Sequence, residues 1–351
     1  MAPERLRCVS VHSVKGGVGK STLSYAIARA LARRGPTLLV DMDLTGTSLA
    51  DVLPLEAPSW DGPMELWREP SGPAIPWEQS QERLRERAGA SENGPVGVPL
   101  LNDFLLWRGG RADERDVHPL AVAWRDPATP DLRVIPSSAL PRDLDAILPI
   151  IYDELHAGWL ESRLEWLLHH ILERTPVRSV VFDTPPTIPG LSRALLSMAI
   201  RLPQQIDLAE EGGTPPALKA HEIRWDPLLV VSPDHQDLRA AERWLVGRDE
   251  AEVARVRVVL NLTERMTRRE LVFRLRGALA QRRETPPAQR GDELVFDAET
   301  NYYGTILEEG RSKTHLAVVQ RDARLNTFRP AADRDDVLEP DVSDVLRMID
   351  V

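Results

Sequence analysis

Residues 7–41 constrain the fold more than any other part of this 351-residue chain. The segment RCVSVHSV (7–14) carries Val9, Val11 and Val14 and reads as a buried strand. A glycine-rich stretch, 15–22, follows. Residues 23–34 then place apolar side chains at 23, 26, 27, 30 and 31, the spacing of a helix. Gly35-Pro36 stops that helix, and a second strand at 37–41 ends on Asp41. Strand, loop, helix and strand within so few residues form a βαβ unit, which demands a parallel sheet.

The rest of the chain extends the same plan. Apolar runs at 132–136, 179–183 and 228–232 read as buried strands, and 255–261 as another. Between them, 151–172 sets Leu155, Trp159, Leu160, Leu164, Leu167, Leu168 and Ile171 on one broad helical face. The expected fold is α/β: a doubly wound, mostly parallel sheet with helices on both faces, built as a single elaborated domain over 1–351. Residues 51–99 interrupt the rhythm with eight prolines, five glycines and Trp60, Trp67 and Trp77. They read as an irregular insertion whose tryptophans pack onto the chain's own core or a partner. A shorter insertion is expected at 201–226, and 263–351 forms a divergent C-terminal part.

The loop itself is Lys15-Gly16-Gly17-Val18-Gly19-Lys20-Ser21-Thr22. Gly16, Gly17 and Gly19 let the backbone close tightly and keep side chains away from a phosphate. Amides of the loop, from Gly16 through Val18 to Thr22, then converge on phosphate oxygens at the following helix N-terminus. Lys20 reaches the β- and γ-phosphates, and the Ser21 hydroxyl ligates Mg²⁺. A strand before and an amphipathic helix after are the context that separates this pattern from an ordinary glycine turn.

KGGVGKST resembles the deviant P-loop of the ParA/MinD ATPases, marked by an extra lysine, here Lys15, at its start. DMDLTGTS (41–48) resembles that family's switch I, VVFDTPP (180–186) its second acidic strand and switch II, and RVVLN (257–261) the strand ending in an adenine-reading asparagine. LRVIPSS (132–138) is similar to the strand between the switches. The resemblance implies a Mg²⁺-dependent ATPase with ATP as ligand, slow alone, stimulated by a partner, and forming a homodimer on ATP. It also implies that Lys15 crosses the dimer to the partner's phosphates, that Asp43 orients the attacking water, and that Asn261 reads adenine. Ser21, Asp43 and Asp183 would hold the metal, with Asp41 supporting it. For Asp183 a plain helix cap is the alternative, and for Asp43 and Asn261 a turn residue.

Composition narrows the use of such a switch. Cys8 is the only cysteine, so neither a disulfide nor a cysteine-ligated cluster can form within the chain. Cys8 and His12 read as core residues of the first strand, and His169 and His170 as helix residues without a metal. No apolar run approaches membrane-spanning length, and MAPERLRCVS lacks a secretory apolar core, so the expected compartment is cytoplasmic. The acidic, Lys-free end DVLEPDVSDVLRMIDV is unlike a basic membrane-binding helix, so no membrane partner is expected. The chain carries a net charge of −10, whereas 263–290 holds eight arginines against three glutamates. Arg265, Arg268, Arg269, Arg276 and Arg283 can share a helical surface able to neutralise DNA phosphates, or form a solvated face. Two uses follow: partitioning or positioning of DNA or a cargo, or a nucleotide-gated adaptor recruiting a protein partner through the 51–99 insertion.

Overall fold

The computed structural model describes residues 5–44, 48–89, 97–106, 117–151, 157–186, 189–204, 215–232, 234–246, 255–263, 316–320 and 341–350. Among the described residues, eight strands form one sheet: β1 (Arg5–His12), β2 (Thr37–Asp41), β3 (Trp124–Arg125), β4 (Leu132–Ile135), β5 (Ser179–Asp183), β6 (Glu222–Val231), β7 (Arg257–Thr263) and β8 (Leu316–Gln320). Their spatial order is β3-β4-β2-β5-β1-β6-β7-β8. All pairs are parallel except the short edge pair β3–β4. This is the expected mostly parallel sheet.

The helices are α1 (Lys20–Ala32), α2 (Leu49–Val52), α3 (Trp77–Gly89), α4 (Leu101–Leu106), α5 (Pro141–Ile151), α6 (Ala157–Arg174), α7 (Pro189–Arg201), α8 (Pro216–Ala220), α9 (His235–Val246) and α10 (Ser343–Asp350). Alternate residues of each strand face opposite sides of the sheet. Cys8, Leu38, Val40, Val180 and Phe182 turn to a layer containing α6 and α7, where Leu160, Leu164, Leu167 and Leu195 are fully buried. Val9, Val11, Leu39, Val181 and Val230 turn to the other layer, against Leu23, Ile27 and Leu31 of α1 and Met348 of α10. Both strand faces are dry, which is why these strands read as apolar runs.

Three expectations need correction. The insertion is not wholly irregular: α3 gives it a helix of 13 residues. Its Arg87 is buried, with Nε and Nη2 donating to Asp143 at 2.9 and 3.0 Å and both Nη groups donating to Asp103 at 2.9 Å. That pairing staples the insertion to α4 and α5. The stretch expected as a 201–226 insertion is regular in part: α7 ends at Arg201, α8 covers 216–220 and β6 begins at Glu222, while 205–214 lie outside the described residues. β6 is therefore longer than its apolar finish. Polar residues alternate with buried Ile223 and Trp225, and Phe182 stacks on Trp225 at 5.4 Å between ring centroids.

Of residues 263–351, the described β8 pairs with β7 in the main sheet and α10 packs into its core. Val345, Met348 and Ile349 of α10 are buried in the core, and Asp350 accepts from Arg7 and Arg34 at 2.7 and 2.6 Å. The apolar face of α10 is thus occupied by the chain itself. Among the described residues, no helix is long and apolar enough to cross a membrane. The arginine-rich surface proposed at 265–283 lies outside the described residues, as do Thr45, Gly46 and Thr47 of the switch-like loop.

Candidate phosphate and metal site

The carboxyl ends of β1, β2 and β5 meet at the middle of the sheet, where an open α/β sheet offers its binding crevice. β5 lies between β1 and β2, so the loop after β1 faces both acidic strand ends, and Asp41 and Asp183 stand opposite one another in register. The glycine loop leaves β1 and enters α1 at Gly19, which caps the helix in the left-handed region at φ 77°. Gly17 has φ 79°. A side chain is strained at either position, which accounts for glycine there. No acidic residue occupies the first turn of α1, so its positive end is left for an anion.

Beneath the loop, Lys20 is buried and its Nζ donates to Asp183 Oδ1 at 2.9 Å, with Asp43 Oδ2 at 3.9 Å. Ser24 Oγ lies 3.0 Å from both Lys20 O and Asp183 Oδ1. Asp183 Oδ2 is buried and has no hydrogen-bond partner among the described residues. An unpartnered carboxylate oxygen is costly unless something cationic or protic meets it. With Ser21 opening α1 and Asp43 across the site, the donor set is oxygen only, which suits a hard cation such as Mg²⁺.

Asp41 is held differently. Its Oδ2 accepts from Leu49 N at 3.0 Å and from Ser137 Oγ at 2.9 Å, and its Oδ1 accepts from Asp43 N at 3.1 Å. Burial, and then the neighbouring Asp183 charge, push its carboxyl up to about 7, while the Leu49 and Ser137 donors pull the other way. Asp41 therefore shapes the loop carrying Asp43 and joins it to Ser137 after β4. Ser48 Oγ continues the connection by donating to Ser137 O at 2.6 Å.

Lys15 is half-exposed and reaches its own α9, with Asp237 Oδ1 at 2.8 Å and Gln236 Oε1 at 3.5 Å. Asn261 is buried at the end of β7, and its Nδ2 donates to Val18 O at 2.8 Å. The structure thus brings Lys20, Asp43, Asp183 and Asn261 to the loop and holds Lys15 to one side. Cys8 and His12 are core residues as expected: burial, and then the Asp226 charge, raise the Cys8 thiol well above its usual range, and His12 Nε2 lies 2.9 Å from Ser10 Oγ. Sequence reading missed Ser24 and Ser137, whose partners come from distant strands. It also missed that His169 and His170 converge with Glu173, signalled only by the His-His-x-x-Glu spacing.

A parallel sheet with this loop between its central strand and α1 defines a P-loop NTPase fold. Residues 6–76 match the family model described as ParA, NUBPL iron-transfer P-loop NTPase. Over this segment the chain is similar to that family. Similar solved structures include a plasmid partition protein of Borrelia burgdorferi bound to AMPPNP, at 13% identity over 98% of both chains and a TM-score of 0.47. A ParA family ATPase of Chlorobium tepidum shares 17% identity over 76% of this chain and 78% of its own, with a TM-score of 0.42. The MinC:MinD cell division complex of Aquifex aeolicus shares 17% over 92% of this chain and 84% of that one, with a TM-score of 0.40. No curated protein matches the chain in sequence. For the iron-transfer part of the family description this chain offers no thiolate pair, because its one cysteine is buried in β1.

Proposed function

We propose that the chain is a Mg²⁺-dependent ATPase acting as an ATP-gated dimerisation switch for partitioning or positioning DNA or a cargo. The observation that carries this reading is the buried Lys20–Asp183 pair beneath the glycine loop, with the second Asp183 oxygen unpartnered. An arriving triphosphate offers Lys20 a more highly charged partner than Asp183. Lys20 would then turn to the β- and γ-phosphates, leaving Asp183 free to hold the metal together with Ser21 and Asp43. Held there, Mg²⁺ would supply charge compensation on the phosphate oxygens.

The chain's own residues carry the remaining work. The loop amides and the α1 N-terminus fix the phosphates. Asp43, whose loop is tethered through Asp41, orients a water in line with the γ-phosphate. Lys15 leaves Asp237 and crosses to the phosphates of the second copy, so that ATP joins the two copies and hydrolysis separates them. Asn261, next to Val18, meets the adenine. The place of action in this reading is the cytoplasm.

A nucleotide-gated adaptor is the second reading, and a specific contact favours it. Gln81 Nε2 and Trp77 Nε1 of α3 donate to Ala50 O at 2.7 and 3.4 Å, tying the insertion to the short helix after the switch-like loop. A change in that loop on ATP binding is thereby passed to the insertion surface.

Size in solution tests both readings, measured for Asp43→Ala with ADP and then with ATP and Mg²⁺, with and without nonspecific DNA. An ATP-only dimer that retains DNA and releases it as salt rises supports positioning. An ATP-only dimer indifferent to DNA supports the adaptor. A monomer under every condition rejects the trans role of Lys15 and the dimerisation switch.

A further inference from the structure

We propose that His169, His170 and Glu173, on the last turns of α6, form a binding site for a divalent transition-metal ion of the zinc type. The proposal is independent of the nucleotide reading, because α6 contributes no residue to the glycine-loop site. One ring nitrogen from each histidine and a carboxylate oxygen of Glu173 all lie within 4.8 Å of one another. His169 Nε2 is 3.3 Å from Glu173 Oε2.

These distances suit a metal. Two ligands bound tetrahedrally at about 2.0–2.1 Å stand roughly 3.4 Å apart. The His169–Glu173 pair already has that separation, and His170 needs to close by no more than roughly 1.4 Å to complete the set. Helix geometry explains the convergence. Glu173 lies four residues after His169 and three after His170, and both spacings bring side chains onto one face.

The surroundings also suit a cation. Both histidines are buried, whereas Glu173 is about half exposed, so the cluster has a wet side through which an ion and a water can arrive. The end of a helix carries partial negative charge. Trp166 packs edge-on against His169 at 4.9 Å and tilted against His170 at 5.5 Å, holding both rings in place. It is the one large apolar side chain left exposed among the described residues. Two imidazole nitrogens and one carboxylate oxygen favour Zn²⁺ or Co²⁺ over Mg²⁺, which prefers oxygen alone.

The test uses the untagged full chain, stripped of metal by chelator and free of nucleotide. Zn²⁺ is titrated by calorimetry and Co²⁺ by its visible absorption, with tryptophan emission followed alongside. The expected result is one high-affinity equivalent, weakened by more than about tenfold in both His169→Gln and Glu173→Gln, since residues merely supporting metal ligands are already worth about 10- to 100-fold. Glu173→Gln alters a half-exposed side chain, so its result does not depend on the core refolding. Co²⁺ quenches emission in the wild type, and most of that quenching disappears in Trp166→Phe with the stoichiometry unchanged. Absence of high-affinity uptake overturns the proposal. So does uptake that survives both substitutions but is lost in Asp43→Ala, which would place the ion at the glycine loop.

Discussion

At the residue scale, Asp41 links the stability of the fold to pH. Its folded-state value of about 7 lies above the ordinary 3.8, so the folded chain retains a proton that the unfolded chain releases. Stability from this group is therefore present at low pH and lost as pH rises from about 4 through about 7. In chelator and without nucleotide, thermal unfolding of the wild type should fall across that window, with a smaller slope in Asp41→Asn. Identical slopes would remove Asp41 as the cause. Lys20→Ala should abolish ATP binding, measured by calorimetry, because it removes the proposed phosphate contact and leaves the buried Asp183 uncompensated. Asp43→Ala should keep ATP binding while lowering turnover by about 100-fold or more, the scale of a positioned proton acceptor.

At the element scale, two pairings set how freely the parts move. Lys15 with Asp237 joins the glycine loop to α9, but the lysine is too exposed for the pair to contribute more than about 1 kcal/mol. Asp237→Ala should therefore hasten ATP-dependent association by no more than about fivefold, as followed by light scattering. Arg87 is different, being buried between Asp103 and Asp143. Arg87→Ala should lower unfolding stability by about 3–5 kcal/mol in a denaturant titration, because it strands buried carboxylate charge. The insertion should then lose protection from proteolysis first.

The same scale shows what could be read in advance. β2 and β5 fall where the apolar runs place them, because strands dry on both faces carry little but Val, Leu, Ile and Phe. The helix at 77–89 was hidden because WEQSQERLRERAG offers only Trp77 and Leu84 as large apolar residues. It is held instead by Arg87 and by Gln81, whose partners are far away in sequence. The first half of β6 was hidden because Asp226 is buried in a position that polarity alone assigns to the surface. Arg257 accounts for it, donating across at 2.9 Å. In the site, Lys20, Asp43 and Asp183 were legible from motif and strand ends. The Asp41–Ser137 tether was not, since it joins residues 96 apart.

Across the whole molecule, the sheet is closed off by the chain's last described helix. α10 adds Val345, Met348 and Ile349 to the apolar layer that also holds α1, and Asp350 clamps Arg7 and Arg34 of the first βαβ unit. Met348→Ala should cost about 2–5 kcal/mol in the same denaturant titration. It should leave the affinity for ATP nearly unchanged, because α10 contributes no residue to the glycine loop.

The solitary thiol in the middle of β1 has a practical use. Cys8 is sealed inside the sheet and held protonated, so thiol reagents at neutral pH have nothing to attack in the native molecule. Arg85→Cys, at an exposed position on α3, would then be the sole point of labelling without any background substitution. A spin label or dye placed there would measure, in the proposed ATP dimer, how far residues 85 of the two copies stand apart before and after hydrolysis.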